Sequence, residues 1–147
     1  MGEVVLDGES MTIEEIMLIG NSDVKFSLSQ KSRSIMNDSR SHVESIVEGE
    51  QTVYGINTGF GSLSNVRIAP DELELLQRNL VLSHACGIGE PMAPLATLRM
   101  MAIRANSLAK GASGIRPEVV DTMLDLVNSM NAPVVPKIGS LGASGDL

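Results

Sequence analysis

Three consecutive residues near the end of the printed sequence, Ala143, Ser144 and Gly145, are of the types needed to make an electrophile from the polypeptide itself. The amide nitrogen of Gly145 can attack the carbonyl carbon of Ala143 and close a five-membered ring, because glycine permits the tight backbone bend. Loss of water from the ring and of the Ser144 hydroxyl then leaves an exocyclic methylidene on an imidazolone. The plainer interpretation of this tripeptide is a flexible Gly/Ser linker, and composition alone favours the linker.

Motifs for other cofactors and for metals are absent from the sequence. It contains neither a Walker loop nor G-x-G-x-x-G, and the short Gly59-Phe60-Gly61 and Gly87-Ile88-Gly89 do not indicate phosphate binding. His42 and His84 lack metal-ligand spacing with each other or with carboxylates. Cys86 is the only cysteine, which excludes an internal disulfide framework and a Cys-cluster zinc site. The sequence therefore predicts no metal and no nucleotide.

Length and charge restrict the class of protein. The chain has 147 residues and a net charge of -7, which argues against a nucleic-acid partner because such a partner favours a basic face. No run approaches the roughly 18 apolar residues of a membrane span, and residues 1–5 lack the basic start of a signal peptide. These features predict a soluble, cytoplasmic protein with no membrane partner.

The apolar periodicity predicts a mainly α fold. Thr12 and Glu15 fit a capping box that opens a short helix to about residue 19. Amphipathic helices are predicted over residues 29–48, 71–86, 95–109 and 117–130. Residues 3–8 predict a short edge strand or hairpin arm, Pro133 and Pro136 predict an extended segment, and residues 50–69 and 139–147 are glycine-rich loops. With only three aromatic residues, the core must consist of aliphatic, Met and Ala side chains.

Three separated motifs occur in an order that is specific to one family. They are Tyr54-Gly55-Ile56-Asn57-Thr58-Gly59-Phe60-Gly61, Asn79-Leu80-Val81-Leu82-Ser83-His84 and Gly139-Ser140-Leu141-Gly142-Ala143-Ser144-Gly145-Asp146-Leu147. Together they closely resemble the aromatic amino acid ammonia-lyase family, above all its members that act on histidine. The resemblance covers nearly the whole chain. It implies the N-terminal domain of the fumarase/aspartase-like helical superfamily, with glycine-rich active-site loops.

The resemblance also implies a protein-derived cofactor. Ala143, Ser144 and Gly145 would cyclise to the methylidene-imidazolone, and no metal or nucleotide would be needed. Asp146 resembles the neighbour that assists this cyclisation, although it could equally be a helix N-cap. The second Ala-Ser-Gly triplet, at residues 112–114, is implied to be a decoy because it lies at a helix break where the family has a structural loop.

In this family Tyr54 corresponds to the base that removes the β-proton of the substrate. An ordinary phenol has a pKa of about 10 and needs nearby positive charge or helix N-termini to act as a base at neutral pH. The alternative is a loop tyrosine that packs its ring and hydrogen-bonds its hydroxyl. Gly61 is implied to offer its backbone near the substrate, and turn geometry is the equally weighted alternative for this glycine.

His84 is implied to contact the substrate and set specificity. A histidine here is similar to the pattern of histidine- and tyrosine-cleaving members, because an imidazole can hydrogen-bond to a substrate imidazole or phenol. The alternative is a core histidine satisfied by a backbone carbonyl, since His84 shares a predicted helix face with Leu73, Leu76 and Leu80.

The family reaction is non-oxidative elimination of ammonia from an α-amino acid substrate. L-histidine, giving urocanate, is the favoured expectation, and a tyrosine ammonia-lyase or an aminomutase of the same family is the alternative. Residues 1–147 would be the N-terminal portion of a longer homotetrameric enzyme, with the central helical bundle and C-terminal region absent, and inactive alone. The alternative from a different functional class is that the chain is a non-catalytic helical interaction module.

Overall fold

The computed structural model describes residues 2–61 and 64–139, which contain five α-helices and four short strands. Their order is β1 (Gly2–Leu6), α1 (Ile13–Met17), β2 (Val24–Leu28), α2 (Gln30–Glu48), α3 (Leu73–His84), β3 (Ile88–Pro91), α4 (Pro94–Leu108), α5 (Pro117–Asn128) and β4 (Pro136–Ile138). The described residues form two compact units, 2–41 with 91–135 and 42–90 with 136–139. The mainly α prediction is confirmed. None of the described helices is both long enough and apolar enough to span a membrane.

A parallel pair of strands begins the first unit. β1 pairs with β2 in the register Gly2↔Val24 to Leu6↔Leu28, with α1 as the crossover between them. β1 is thus a strand, as its alternation predicts, but the hairpin alternative is wrong because a hairpin would make the pair antiparallel. The sequence analysis did not predict β2. The Asn128 side chain of α5 satisfies both main-chain groups of Phe26 in β2. The Phe26 N–H donates to Asn128 Oδ1 (2.8 Å), and Asn128 Nδ2 donates to the Phe26 carbonyl (2.9 Å).

The predicted capping box starts α1. The Glu15 N–H donates to Thr12 Oγ1 over 3.2 Å, and the Thr12 N–H donates to Glu15 Oε2 over 2.7 Å. Each side chain satisfies a backbone donor that the first helical turn leaves without a partner, so this prediction is confirmed.

Aliphatic, Met and Ala side chains form the core of the first unit, with Phe26 as its one aromatic residue among those described. α4 and α5 follow their predicted ranges closely, and each begins with a proline in its first turn. The buried core residues are Val4, Leu6, Ile19, Phe26, Leu28, Met36, Leu98, Ala102, Ala105, Leu108, Ala109, Val120, Leu124 and Val127. Met130, the last residue of the helix predicted over residues 117–130, is 48% exposed because α5 ends at Asn128.

Two contacts hold residues 30–41 of α2 against other elements of the first unit. Arg33 Nη1 and Nη2 donate to Asp121 Oδ2 (2.9 Å) and Oδ1 (2.6 Å) on α5, and these hydrogen bonds raise the pKa of the guanidinium. Both side chains are about a third exposed, so the pair contributes about 1 kcal/mol or less. The Gly114 N–H donates to Ser39 Oγ over 3.2 Å and ties the α4–α5 connection to α2.

Gly111→Ala is expected to lower the free energy of unfolding by about 2–5 kcal/mol, the sum of left-handed strain and overpacking. Gly111 has a φ of 73°, and a Cβ there would lie 2.5 Å from Ile35 Cγ2 and 3.1 Å from the Ile35 carbonyl carbon. Urea unfolding of both proteins measures the difference. Gly55→Ala is the matched control, since Gly55 has a φ of 78° and nothing within 4 Å. An equal loss in both variants would contradict the packing argument.

The second unit contains residues 42–48 of α2, the loop that follows, α3, residues 88–90 of β3, and β4. Pro70–Glu72 form a single 3₁₀ turn, so α3 begins at Leu73, two residues later than predicted. No residue of α3 is buried among the described residues; Leu73, Leu76 and Leu80 are half-buried, whereas Leu75, Val81 and Leu82 are exposed. β3 and β4 pair in a two-stranded sheet that the sequence analysis did not predict.

Candidate functional site

Tyr54 lies on the irregular segment between α2 and α3, as predicted, with its side chain 62% exposed. Its ring and the Phe60 ring lie edge to face, with a centroid distance of 6.0 Å and an interplanar angle of 72°. This edge-to-face contact lies within the geometry that aromatic pairs prefer. Tyr54 is therefore a solvent-facing phenol on a loop.

Two buried polar side chains hold the main chain beside Tyr54. The Val53 N–H donates to Asn57 Oδ1 over 2.8 Å, and the Gly55 N–H donates to Thr58 Oγ1 over 3.2 Å. Asn57 and Thr58 are each 1% exposed. The sequence analysis assigned neither residue a role, because an amide and a hydroxyl in a glycine-rich segment look like ordinary turn formers. Their positions within four residues of a candidate base were the one signal available.

The base of this loop is closed by main-chain pairing and by Arg67. Thr58 and Arg67 form an isolated antiparallel bridge, the Gly59 N–H donates to the Val66 carbonyl (3.2 Å), and the Ile68 N–H donates to the Asn57 carbonyl (2.9 Å). Arg67 Nη1 donates to the Glu50 carbonyl (3.3 Å), and Arg67 Nη2 donates to the Gly49 carbonyl. A guanidinium at these carbonyls suits the negative end of the α2 dipole.

His84 is the last residue of α3 and is exposed. Its Nδ1 lies 3.0 Å from the Leu80 carbonyl oxygen and 2.9 Å from Ser83 Oγ, whose hydroxyl donates to the same carbonyl over 2.9 Å. A neutral ring that donates its Nδ1 proton to Leu80 leaves Nε2 as a hydrogen-bond acceptor. The ring thus has the backbone partner expected of a core histidine but is outside the core.

Gly61 has a φ of 58°, and an added Cβ would find nothing within 4 Å. Its left-handed backbone explains the glycine by turn geometry, and its open side leaves the main chain accessible to a ligand. Both predicted interpretations of Gly61 are therefore compatible with the structure.

The predicted cofactor-forming residues Ala143, Ser144 and Gly145, together with Asp146, lie outside the described residues. The second triplet is described. Ala112 and Ser113 are exposed, whereas Gly114 is buried with a φ of 66° and donates its N–H to Ser39. This geometry gives residues 112–114 a structural part in the α4–α5 turn.

Tyr54, Gly61 and His84 all belong to the second unit. The structure records no hydrogen bond between Tyr54 and His84. Among residues 2–61 and 64–139, no group of three or more His, Cys, Asp or Glu side chains is arranged to hold a metal ion. The chemical groups available at the site are a phenol, an imidazole and open main chain.

Comparisons with known proteins give a consistent result. A family model described as aromatic amino acid lyase matches residues 11–147. Histidine ammonia-lyase of Shouchella clausii (strain KSM-K16) is 51% identical over 144 residues, which are 98% of this chain and 29% of that relative. The chain spans 28–29% of the length of the first curated relatives that it matches.

Solved structures agree with the sequence relatives. The crystal structure of histidine ammonia-lyase from Trypanosoma cruzi superposes with a TM-score of 0.83 at 38% identity, covering 94% of this chain and 26% of that one. Tyrosine aminomutase from Streptomyces globisporus gives a TM-score of 0.84 at 31% identity, with the same two coverages. The chain thus shares the helical fold of these lyase and aminomutase structures.

Proposed function

Because the chain belongs to the aromatic amino acid lyase family, we propose that the full-length protein containing it removes ammonia from L-histidine to give urocanate. The observation that carries this proposal is the 51% identity, across 98% of the chain, to a histidine ammonia-lyase. The reaction breaks the Cα–N bond and one Cβ–H bond and forms a carbon–carbon double bond. It releases ammonia and needs no oxidant.

Tyr54 acts as a phenolate, whose oxygen takes the β-proton and becomes the hydroxyl. Its 62% exposure on a loop that is hydrogen-bonded to the end of α2 supports this role, because a base must reach a bound substrate and also return to one position. The edge contact with Phe60 limits the directions in which the ring can turn.

Ala143, Ser144 and Gly145 form the methylidene-imidazolone, and Asp146 assists the cyclisation. The support is the residue types themselves together with the family match over residues 11–147, since these residues lie outside the described part of the chain. When formed, the group supplies an electrophile that makes ammonia a better leaving group.

His84 and Gly61 bind the substrate. In the tautomer that donates from Nδ1 to the Leu80 carbonyl, His84 Nε2 accepts a hydrogen bond from the substrate imidazole. A site built for such a bond discriminates against analogues without a donor. The open main chain at Gly61 lets the loop approach the ligand closely.

Activity requires chain beyond these residues, which form the N-terminal portion of the enzyme. The supporting observation is that the chain spans 28–29% of the length of the first curated relatives. The exposed apolar residues of α3 are consistent with further helices packing there. We propose further that the full-length protein is a homotetramer in the cytoplasm and that residues 1–147 alone are inactive.

Activity on tyrosine, by elimination or as an aminomutase, is the second candidate. The likeness to a tyrosine aminomutase structure at 31% identity favours it. We expect the full-length gene product to have a kcat/KM for L-histidine at least about 10-fold above that for L-tyrosine, because the 51% identity to a histidine ammonia-lyase exceeds the 31% identity to the tyrosine aminomutase. Absorbance of the unsaturated products and chromatography of amino acids measure both reactions. Equal or faster turnover of tyrosine would overturn the preference, and a β-amino acid product would identify an aminomutase.

A further inference from the structure

The orientation of Tyr54 depends on its main chain. The Tyr54 ring contacts the Phe60 ring. The structure records no hydrogen-bond partner for the Tyr54 hydroxyl among the described residues. An exposed phenol with one aromatic neighbour can occupy several rotamers, so its average position follows the peptide groups on either side. The N–H groups of Val53 and Gly55, the residues directly before and after Tyr54, are each held by a buried side chain.

Asn57 connects the Val53 N–H to the end of α2. Its Oδ1 accepts from the Val53 N–H (2.8 Å), while its Nδ2 donates to the Gln51 carbonyl (2.8 Å) and to the Ile46 carbonyl (3.4 Å). Ile46 belongs to the last turn of α2, where carbonyls lack helical partners. At 1% exposure the amide cannot exchange these partners for bulk water, so the three bonds hold one geometry.

Thr58 performs the same task on the other side of Tyr54. Its Oγ1 accepts from the Gly55 N–H (3.2 Å) and donates to the Gly59 carbonyl (2.9 Å), and the side chain is 1% exposed. Gly55 has a φ of 78°, which glycine adopts at little cost. Because glycine also adopts other φ values easily, the backbone conformation of this turn is fixed only if another group holds it. Thr58 supplies that fixed point.

We propose that Asn57 and Thr58 are positioning residues for Tyr54, which hold the N–H groups of the residues directly before and after it so that the phenolic oxygen returns to one place above the substrate. The proposal rests on the proposed function of Tyr54 as the base. Neither side chain touches the substrate in this account, and both act through Tyr54.

Thr58→Val tests the proposal, because it keeps the β-branched shape and removes both hydrogen bonds. In the full-length gene product we expect kcat to fall about 10–100-fold, since displacing a reacting group by about 1 Å can cost about 10²-fold, while KM changes less than about threefold. Thr58→Ser keeps the hydroxyl and should retain kcat to within about threefold. Equal kcat in Thr58→Val and the unchanged enzyme would overturn the proposal, as would a matching loss in Thr58→Ser.

A double-mutant cycle separates positioning from general damage to the fold. In a Tyr54→Phe background, Thr58→Val should lower kcat by less than about twofold, because the group that it positions is already gone. A further fall as large as in the unchanged background would overturn the proposal.

An optical measurement makes failure of this proposal distinguishable from failure of the proposed function. Tyr54 is the only tyrosine in the 147 residues, which contain no tryptophan. In the full-length gene product, the Tyr54 contribution to the fluorescence anisotropy, obtained by subtracting the signal of the matching Tyr54→Phe protein, should fall in Thr58→Val and not in Thr58→Ser. Lower anisotropy together with full activity in Tyr54→Phe would reject Tyr54 as the base and keep its positioning. Unchanged anisotropy in Thr58→Val would reject the positioning.

Discussion

Ser144→Ala is expected to lower kcat of the full-length enzyme by about 10³-fold or more, because alanine has no hydroxyl to lose and the electrophile cannot form. Turnover of L-histidine under saturating conditions measures the loss. The protein should keep its helix content by circular dichroism, since the change removes a single oxygen atom. Retained activity in Ser144→Ala would contradict the assignment of the cofactor.

Ser113→Ala is the matched control, since the chain contains the same tripeptide at residues 112–114. Ser113 is exposed in the turn between α4 and α5, and the hydrogen bond that holds this turn to Ser39 comes from the Gly114 main chain. Removing the Ser113 hydroxyl should therefore leave kcat within about twofold, as is usual for surface positions that make no special contact. Loss of activity in Ser113→Ala but not in Ser144→Ala would reverse the assignment of the two triplets.

Tyr54→Phe is expected to reduce kcat by about 10²–10⁴-fold, the range for loss of a general base. The phenylalanine ring keeps the edge contact with Phe60, so KM and thermal stability should change little. Steady-state kinetics with L-histidine separates the two parameters. Phe60→Leu is the control, because it removes the ring contact and leaves the hydroxyl, and its kcat should fall less than about 10-fold. A Tyr54→Phe enzyme with unchanged kcat would exclude the phenol as the base.

The helices could be predicted from the sequence because their determinants are local. The Thr12–Glu15 capping box and the apolar spacing in α4 and α5 act within a few turns. β2 could not be predicted in this way. It has only five residues, and α1 separates it in the sequence from its partner β1. Asn128, which hydrogen-bonds to the Phe26 main chain, is 102 residues away. No local pattern carries such contacts.

The same distinction between local patterns and tertiary contacts applies to the site residues. Tyr54 and His84 were identified because their motifs resemble a family. The hydrogen bonds of Asn57 and Thr58 could not be predicted from the sequence, because they depend on the folded loop that buries both side chains. The position of His84 outside the core also could not be predicted, since helical spacing gives the face of a residue but not whether that face is covered.

The central claim is that Ala143, Ser144 and Gly145 become an electrophile, and the intact mass of the purified full-length enzyme tests it most directly. Cyclisation and dehydration remove two water molecules, so the account predicts a mass about 36 Da below that of the unmodified sequence. Ser144→Ala should lack the full loss, and Ser113→Ala should retain it. An active enzyme with an unmodified mass would contradict the account.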